Sequence, residues 1–434
     1  MLIILGKIKK IKAREILSSG SFPSLEVKVT LESGIEGKAS VPFGASAGIH
    51  EAYVLIDNEK RYLGKGMLKA VSNINKIIAP KLIGENPNNQ KKIDNLMKKL
   101  DGTKNKNKLG ANSILGVSLA VARVACNEKK IPLYEHIRDV FKLKIKNYFL
   151  PNPMMVVIEG GKHADESTDL QEFIISPIGA NSAKEAIRYG IETYLTLKKV
   201  LKSKGYSVNV GNEGAFAPAG LRTNETPLQL IVNAIRKVGY KPGKDIGISL
   251  DPASSEIFEN GKYILKKENK KLSSEQMISY YEKWVKKYPI ITLEDPLHED
   301  DWDNWIKITK RLGNKIPIIG DDLTVTSPER LRKAIKLKAI NSILIKLNQI
   351  GTLTETVECC MLARKHGFMT VVSHRGGGET NDTSMVDLAV AVNSGFIKVG
   401  PSRGERVCKY NRLMEIEEEL GNKAKIAGKN FRNL

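Results

Sequence analysis

The sequence predicts an α/β protein: a modified, TIM-like β/α barrel as the C-terminal domain and a smaller α+β N-terminal domain. Between residues 248 and 400, six short apolar runs each end on a polar or charged side chain. They are ISLDPAS with Asp251, IITLEDP with Glu294, PIIGDD with Asp321, SILIKLN with Lys346, VVSHR with His374 and FIKVG with Lys398. A step of about 25 residues leaves room for one buried strand, one helix and two short loops. Each run is apolar on both faces, as a parallel strand covered on both sides should be. A chemical side chain at the end of each successive strand describes the mouth of a barrel.

The N-terminal part reads differently. Residues 25–31, L-E-V-K-V-T-L, alternate strictly, which predicts a strand with one buried face. Ser33 and Gly34 make a turn, and GKASVP returns as a second strand. A small, glycine-bearing loop at 43–49 follows, either a lid or a long turn. Apolar residues at helical spacing follow at Leu68, Val71, Ile74, Ile77, Ile78 and Leu82, then at Ile93, Leu96, Met97 and Leu100. Residues 114–124 are apolar around most of the circumference, predicting a buried helix. These elements place the first domain at 1–138 and the barrel at 146–434, linked through KLKIKN at 142–147.

Local signals inside the second domain agree with strand–helix alternation. Asn260-Gly261 is a hairpin turn signal. Ser273 with Gln276 forms a capping box, and Ser327-Pro328 supplies an N-cap with proline at the first helical position. Thr226 to Val238 reads as an amphipathic helix.

Bulk composition narrows the function classes. A chain of 434 residues, 41% hydrophobic and 27% charged, describes a globular protein of two domains. Four cysteines, Cys126, Cys359, Cys360 and Cys408, form no C-x-x-C pair and suit a reducing compartment. No run reaches the roughly 18 apolar residues of a membrane span, and the N-terminal run is too short for a signal peptide. The expected location is cytoplasmic. The net charge of +21 comes mostly from dispersed lysines. No arginine-rich tail, zinc-finger spacing or aromatic signature accompanies it, so a nucleic-acid partner is possible but not predicted. A small anionic substrate would also feel that field.

Three carboxylates, Asp251, Glu294 and Asp321, end three successive predicted strands. Together at one mouth they repel, and a hard divalent cation, most simply Mg²⁺, relieves that cost. A salt-bridge network with neighbouring lysines is the alternative. Lys346 ends the next strand, where a metal and Lys398 nearby would lower its pKa enough for it to act as a base. Glu172 and Glu213 are a paired general acid or structural partners for lysine. His163 and His374 contact an oxyanion or a leaving hydroxyl, or are simply packed and hydrogen bonded.

Together these residues resemble the enolases. The likeness runs from about Ala13 to Ala427 and includes SVPFGASAGIHEA, KLGANSILGVSLAVA, GGKHA, LQEF, NVGNEGAFAP, LEDP, GDDLTVTSPERL, LIKLNQIGTLTET and VSHRGGGETNDT. The resemblance implies reversible dehydration of 2-phosphoglycerate to phosphoenolpyruvate in glycolysis, with two Mg²⁺ per site and assembly as a homodimer or larger homo-oligomer. It implies Asp251, Glu294 and Asp321 as ligands of the first metal and Ser46 as a mobile-loop ligand of the second. Lys346 matches the base. Glu213, with Glu172 beside it, matches the acid side, and His374 joins this catalytic set. His163, Arg375, Lys398 and Gln171, the last in LQEF, match substrate-binding positions.

The chain also departs from the family pattern. S-H-R-S-G-E-T becomes SHRGGGET, with one residue added. G-G-S-H becomes GGKH with Lys162, preceded by Glu159 in place of asparagine. G-D-E-G-G becomes GNEGA with Asn212 and Ala215, and Gly20 stands where an arginine is usual. A paralogue acting on another anionic hydroxy acid is therefore a second reading. A non-catalytic binding protein is a third.

Overall fold

The computed structural model describes residues 6–44 and 48–434. The N-terminal part opens with a three-stranded antiparallel sheet, β1 (Ile8–Leu17), β2 (Pro23–Leu31) and β3 (Glu36–Ser40), in the order β1-β2-β3. The alternation predicted for β2 is realised: Leu25, Val27, Val29 and Leu31 are fully buried, with half-buried residues between them. They pack on the helix Ala111–Lys129, which is buried over most of its surface as expected. Gly116 permits the contact, since a Cβ there would lie 2.7 Å from Val27 Cγ2.

Two N-terminal details differ from expectation. The edge strand β1 was not predicted, because its lysines and its irregular pattern of buried residues break the alternation. Leu68 and Ile77, counted with a buried stripe, are exposed. The helix from Leu68 widens into a π-turn at Ile74–Ile78 just before Pro80. Pro80 has no N–H to continue the ladder, and the wider turn shifts the stripe that follows.

The barrel is closed by eight strands. They are β4 (Asn152–Glu159), β5 (Glu172–Ser176), β6 (Gly247–Asp251), β7 (Ile290–Glu294), β8 (Ile318–Gly320), β9 (Ser342–Ile345), β10 (Met369–Ser373) and β11 (Phe396–Val399). The last six are the predicted runs. Neighbours pair in parallel except β4–β5 and β5–β6, which are antiparallel. Strand–helix alternation therefore fails at β5, which follows β4 with only the 3-10 turn Gly161–His163 between them and runs backwards. The reversal brings the first residue of β5, Glu172, level with the last residue of β6, Asp251.

Met154, Val156, Ile174, Leu344, Val371 and Phe396 belong to one buried apolar cluster drawn from the barrel strands. The predicted hairpin at Asn260-Gly261, the capping box at Ser273 and the proline-led helix Pro328–Leu337 are all present. The two parts meet through polar groups as well as apolar ones. Asp94 accepts the Thr354 N–H at 3.0 Å and the Thr354 hydroxyl at 2.5 Å, and Leu353 N–H donates to Ser118 Oγ at 3.0 Å. No described helix is long and apolar enough to cross a membrane. The four cysteines are free thiols.

Candidate active site

The strand ends bring the predicted side chains to one cleft, lined among others by Glu172, Glu213, Asp251, Asp321, Lys346 and His374. Two buried lysines organise its carboxylates. Lys398 Nζ lies 2.8 Å from Glu172 Oε2, 2.8 Å from Asp251 Oδ2 and 2.7 Å from Glu294 Oε1. Burial would strip its proton, but those three carboxylates hold its pKa well above the ordinary lysine value. Lys346 Nζ lies 2.5 Å from Asp321 Oδ2. Here too burial acts downward and Asp321 upward, and the net direction is up. The adjacent Asp321 carboxylate outweighs desolvation here; the lowered lysine is expected beside a bound metal, whose charge would act against that carboxylate.

The donor chemistry fits a divalent cation. Glu294 Oε2 is buried with no hydrogen-bond partner. Burial, then the charge of Asp251, drives the Glu294 carboxyl well above its usual range. Such a group is stabilised by a cation. Among the described residues, Asp295, Asp321 and Asp322 offer oxygens within 4.8 Å of one another, a grouping that shares only Asp321 with the three strand-end acids. Asp295 also accepts the N–H groups of Asp321 and Asp322, each at 2.8 Å, which fixes the turn after β8. Asp295 stands in LEDP, one residue beyond the strand-end Glu294, and carries no signal of its own in the sequence. Its role arises only when β7 and β8 pair.

A second cluster gathers His163, Glu172 and Glu213, again within 4.8 Å. His374 Nε2 lies 3.0 Å from Glu213 Oε2, while His163 Nδ1 lies 3.4 Å from Glu172 Oε1 and 3.7 Å from Glu213 Oε1. The two acids are pushed apart. Burial and then the Glu213 charge raise Glu172 well above the carboxylate range. Burial also acts to raise Glu213, but His374 and then His163 hold it well below that range. A pair split this way has one proton-bearing member and one charged member.

Arg375 is buried, with Nη2 at 2.8 Å from Glu51 Oε1, and Gly44 lies so close that a Cβ there would meet its Nε at 2.6 Å. Glu51, from the N-terminal part, is another partner the sequence did not reveal. Gln171 lines the cleft beside Glu172. Ser46 lies outside the described residues.

The description "Enolase, C-terminal TIM barrel domain" matches residues 147–434, and "Enolase, N-terminal domain" matches residues 8–137. A protein named Enolase from Elusimicrobium minutum (strain Pei191) is 52% identical over 424 residues, covering 98% of each chain. The chain belongs to the enolase family. It is a carbon–oxygen lyase of the phosphopyruvate hydratase type, and the family implies a divalent metal for its acidic mouth.

Against the enolase pattern, the departures are placed as follows. Lys162 is exposed and pairs with Glu256, which lines the cleft. Glu159 is fully buried, and its Oε1 accepts the Glu213 N–H at 3.0 Å and the Ala215 N–H at 2.9 Å. Burial and then Glu213 push its carboxyl up to about 8. Gly376 faces the acid cluster: a Cβ there would lie 2.5 Å from Glu213 Oε1.

Proposed function

We propose that this enolase dehydrates 2-phosphoglycerate to phosphoenolpyruvate, reversibly, in glycolysis and gluconeogenesis, with Lys346 as the base and Mg²⁺, two ions per site, as the metal. The observation that carries the reading is the pairing of Lys346 with Asp321 beside a separate, proton-holding acid pair.

The C2 proton of the substrate adjoins a carboxylate, so it is lost only if the enolate charge is taken up. Asp251, Glu294 and Asp321 would hold the first cation and Ser46 the second. When bound, such cations supply the positive charge that stabilises the enolate. Lys346 takes the C2 proton. Glu172 and Glu213, with His374 on Glu213, assist departure of the C3 hydroxyl by holding and delivering a proton. Lys398 and Gln171 sit beside the substrate carboxylate, and His163 and Arg375 face its phosphate and hydroxyl.

The domain limits 1–138 and 146–434 remain part of this reading. So do a homodimeric or larger assembly and a cytoplasmic location, which the family likeness supports. The direct test is formation of phosphoenolpyruvate from 2-phosphoglycerate by purified protein with Mg²⁺, abolished by chelator. Folded, Mg²⁺-supplied protein that forms none would remove the proposal and favour a different hydroxy acid.

A further inference from the structure

Two departures from the family pattern lie far apart in the chain: Gly20, and the added residue after Arg375. In the folded chain they meet. A Cβ placed on Gly20 would lie 1.9 Å from the Gly377 carbonyl oxygen and 3.1 Å from its carbonyl carbon. Non-bonded heavy atoms settle at roughly 3.5 Å or beyond, so any side chain at position 20 would push the loop away. Gly377 itself has φ of +80°, a left-handed conformation that glycine adopts without a Cβ penalty.

The contact belongs to a clamp. Residues 18–22 form a tight turn, with Ser18 N–H donating to the Phe22 carbonyl at 2.9 Å and Ser21 N–H to the Ser18 carbonyl at 3.0 Å. From this turn Ser19 N–H donates to the Glu379 carbonyl at 2.8 Å, and Glu379 N–H donates back to Ser19 Oγ at 3.1 Å. A second point is Phe43, whose N–H donates to the Gly378 carbonyl at 2.7 Å. The Glu379 carboxylate then reaches into the loop and accepts the N–H of Arg375 and of Thr380, each at 2.8 Å. The segment carrying Arg375 is thus held by the N-terminal part at two points, with no slack at Gly20.

The far side of this segment faces the cleft through Gly376. Among the described residues, the N–H groups of Gly376, Gly377 and Gly378 donate to no protein acceptor. Successive N–H groups around a left-handed residue form the kind of concavity that accepts an anionic oxygen.

We propose that Gly20 is a positioning residue for substrate binding. By presenting no side chain, it lets the Gly377 carbonyl seat against the 18–22 turn. That seat sets where Arg375 and the main-chain N–H groups of residues 376–378 meet the anionic group of the substrate. The proposal rests on reading this mouth as the phosphoglycerate site, and it gives the N-terminal part a role in substrate selection.

Three proteins test it: wild type, Gly20→Ala, and Gly20→Ala with Gly377 deleted. The readouts are steady-state kinetics with 2-phosphoglycerate, amide hydrogen exchange over residues 375–380, and thermal unfolding. Gly20→Ala is expected to raise KM about tenfold or more while kcat stays within about twofold, because the loss is one of binding. Exchange in the segment is expected to speed up with the unfolding midpoint held, and deleting Gly377 is expected to return both KM and exchange towards wild type. Unchanged KM and exchange in Gly20→Ala would overturn the proposal. So would a loss that follows a lowered unfolding midpoint and is not repaired by the deletion. If wild type turns over no 2-phosphoglycerate, the functional reading fails, while the exchange data still decide whether Gly20 seats the loop.

Discussion

Lys346 and Asp321 stand at the ends of neighbouring parallel strands and form a buried ion pair, Nζ to Oδ2 2.5 Å. Asp321 is held further by Gln349 Nε2, which donates to Oδ1 at 2.8 Å, and Lys346 N–H donates to Thr326 Oγ1 at 2.9 Å. Both partners are therefore fixed before any substrate arrives. This matters for catalysis because a base held within a fraction of an ångström loses little on binding.

Removing one partner leaves the other charge buried alone, which costs about 3–5 kcal/mol. Asp321→Asn is expected to lose about 3 kcal/mol of stability in chelator, read by urea unfolding. It is also expected to weaken Mg²⁺ binding by about tenfold or more by calorimetry. Unaltered Mg²⁺ affinity would remove Asp321 from the ligand set.

Glu159 supports Glu213 from below by accepting two main-chain N–H groups. Glu159→Ala leaves both without that acceptor, at about 1–3 kcal/mol each, and frees the segment bearing Glu213. The expected result is a fall in kcat of about 100-fold, with Glu159→Gln, which keeps an acceptor oxygen, recovering most of it. Equal losses in the two variants would mean that the hydrogen bonds to these two N–H groups do not carry the effect.

His136 gives a pH prediction away from the site. It is buried in the helix Leu133–Val140, both ring nitrogens lack partners among the described residues, and burial pushes its pKa down to about 4 from 6.5. Between those values the unfolded chain binds more protons than the folded one. This contribution is therefore complete above about pH 6.5 and is lost as pH falls towards about 4. From pH 7.5 to pH 5 the loss is about 2 kcal/mol. His136→Leu is expected to flatten that part of the urea-stability profile, and an identical slope in variant and wild type would contradict it.

Much of this architecture is legible in the sequence because its signals are local. The six barrel strands from β6 to β11 are short runs apolar on both faces, and each carries its polar residue just where the strand ends. The hairpin at Asn260-Gly261 and the cap at Ser273 need only their own neighbours. The reversed strand β5 escapes such reading, since the residues of a buried strand do not encode its direction. Its consequence, Glu172 level with Asp251, is a tertiary fact. Asp295 and Glu51 escape for the same reason: each acts on residues that only folding brings near. Lys346 shows a different limit. Position in the series identifies it, but its protonation depends on the distance to Asp321.

The central claim is that Lys346 removes the C2 proton within a metal-binding mouth. Its most direct test compares wild type and Lys346→Ala for phosphoenolpyruvate formation from 2-phosphoglycerate with saturating Mg²⁺, after confirming that both are folded. Wild type is expected to turn over, and Lys346→Ala to lose about 10³-fold or more in kcat. A Lys346→Ala protein that keeps the wild-type rate would contradict the account.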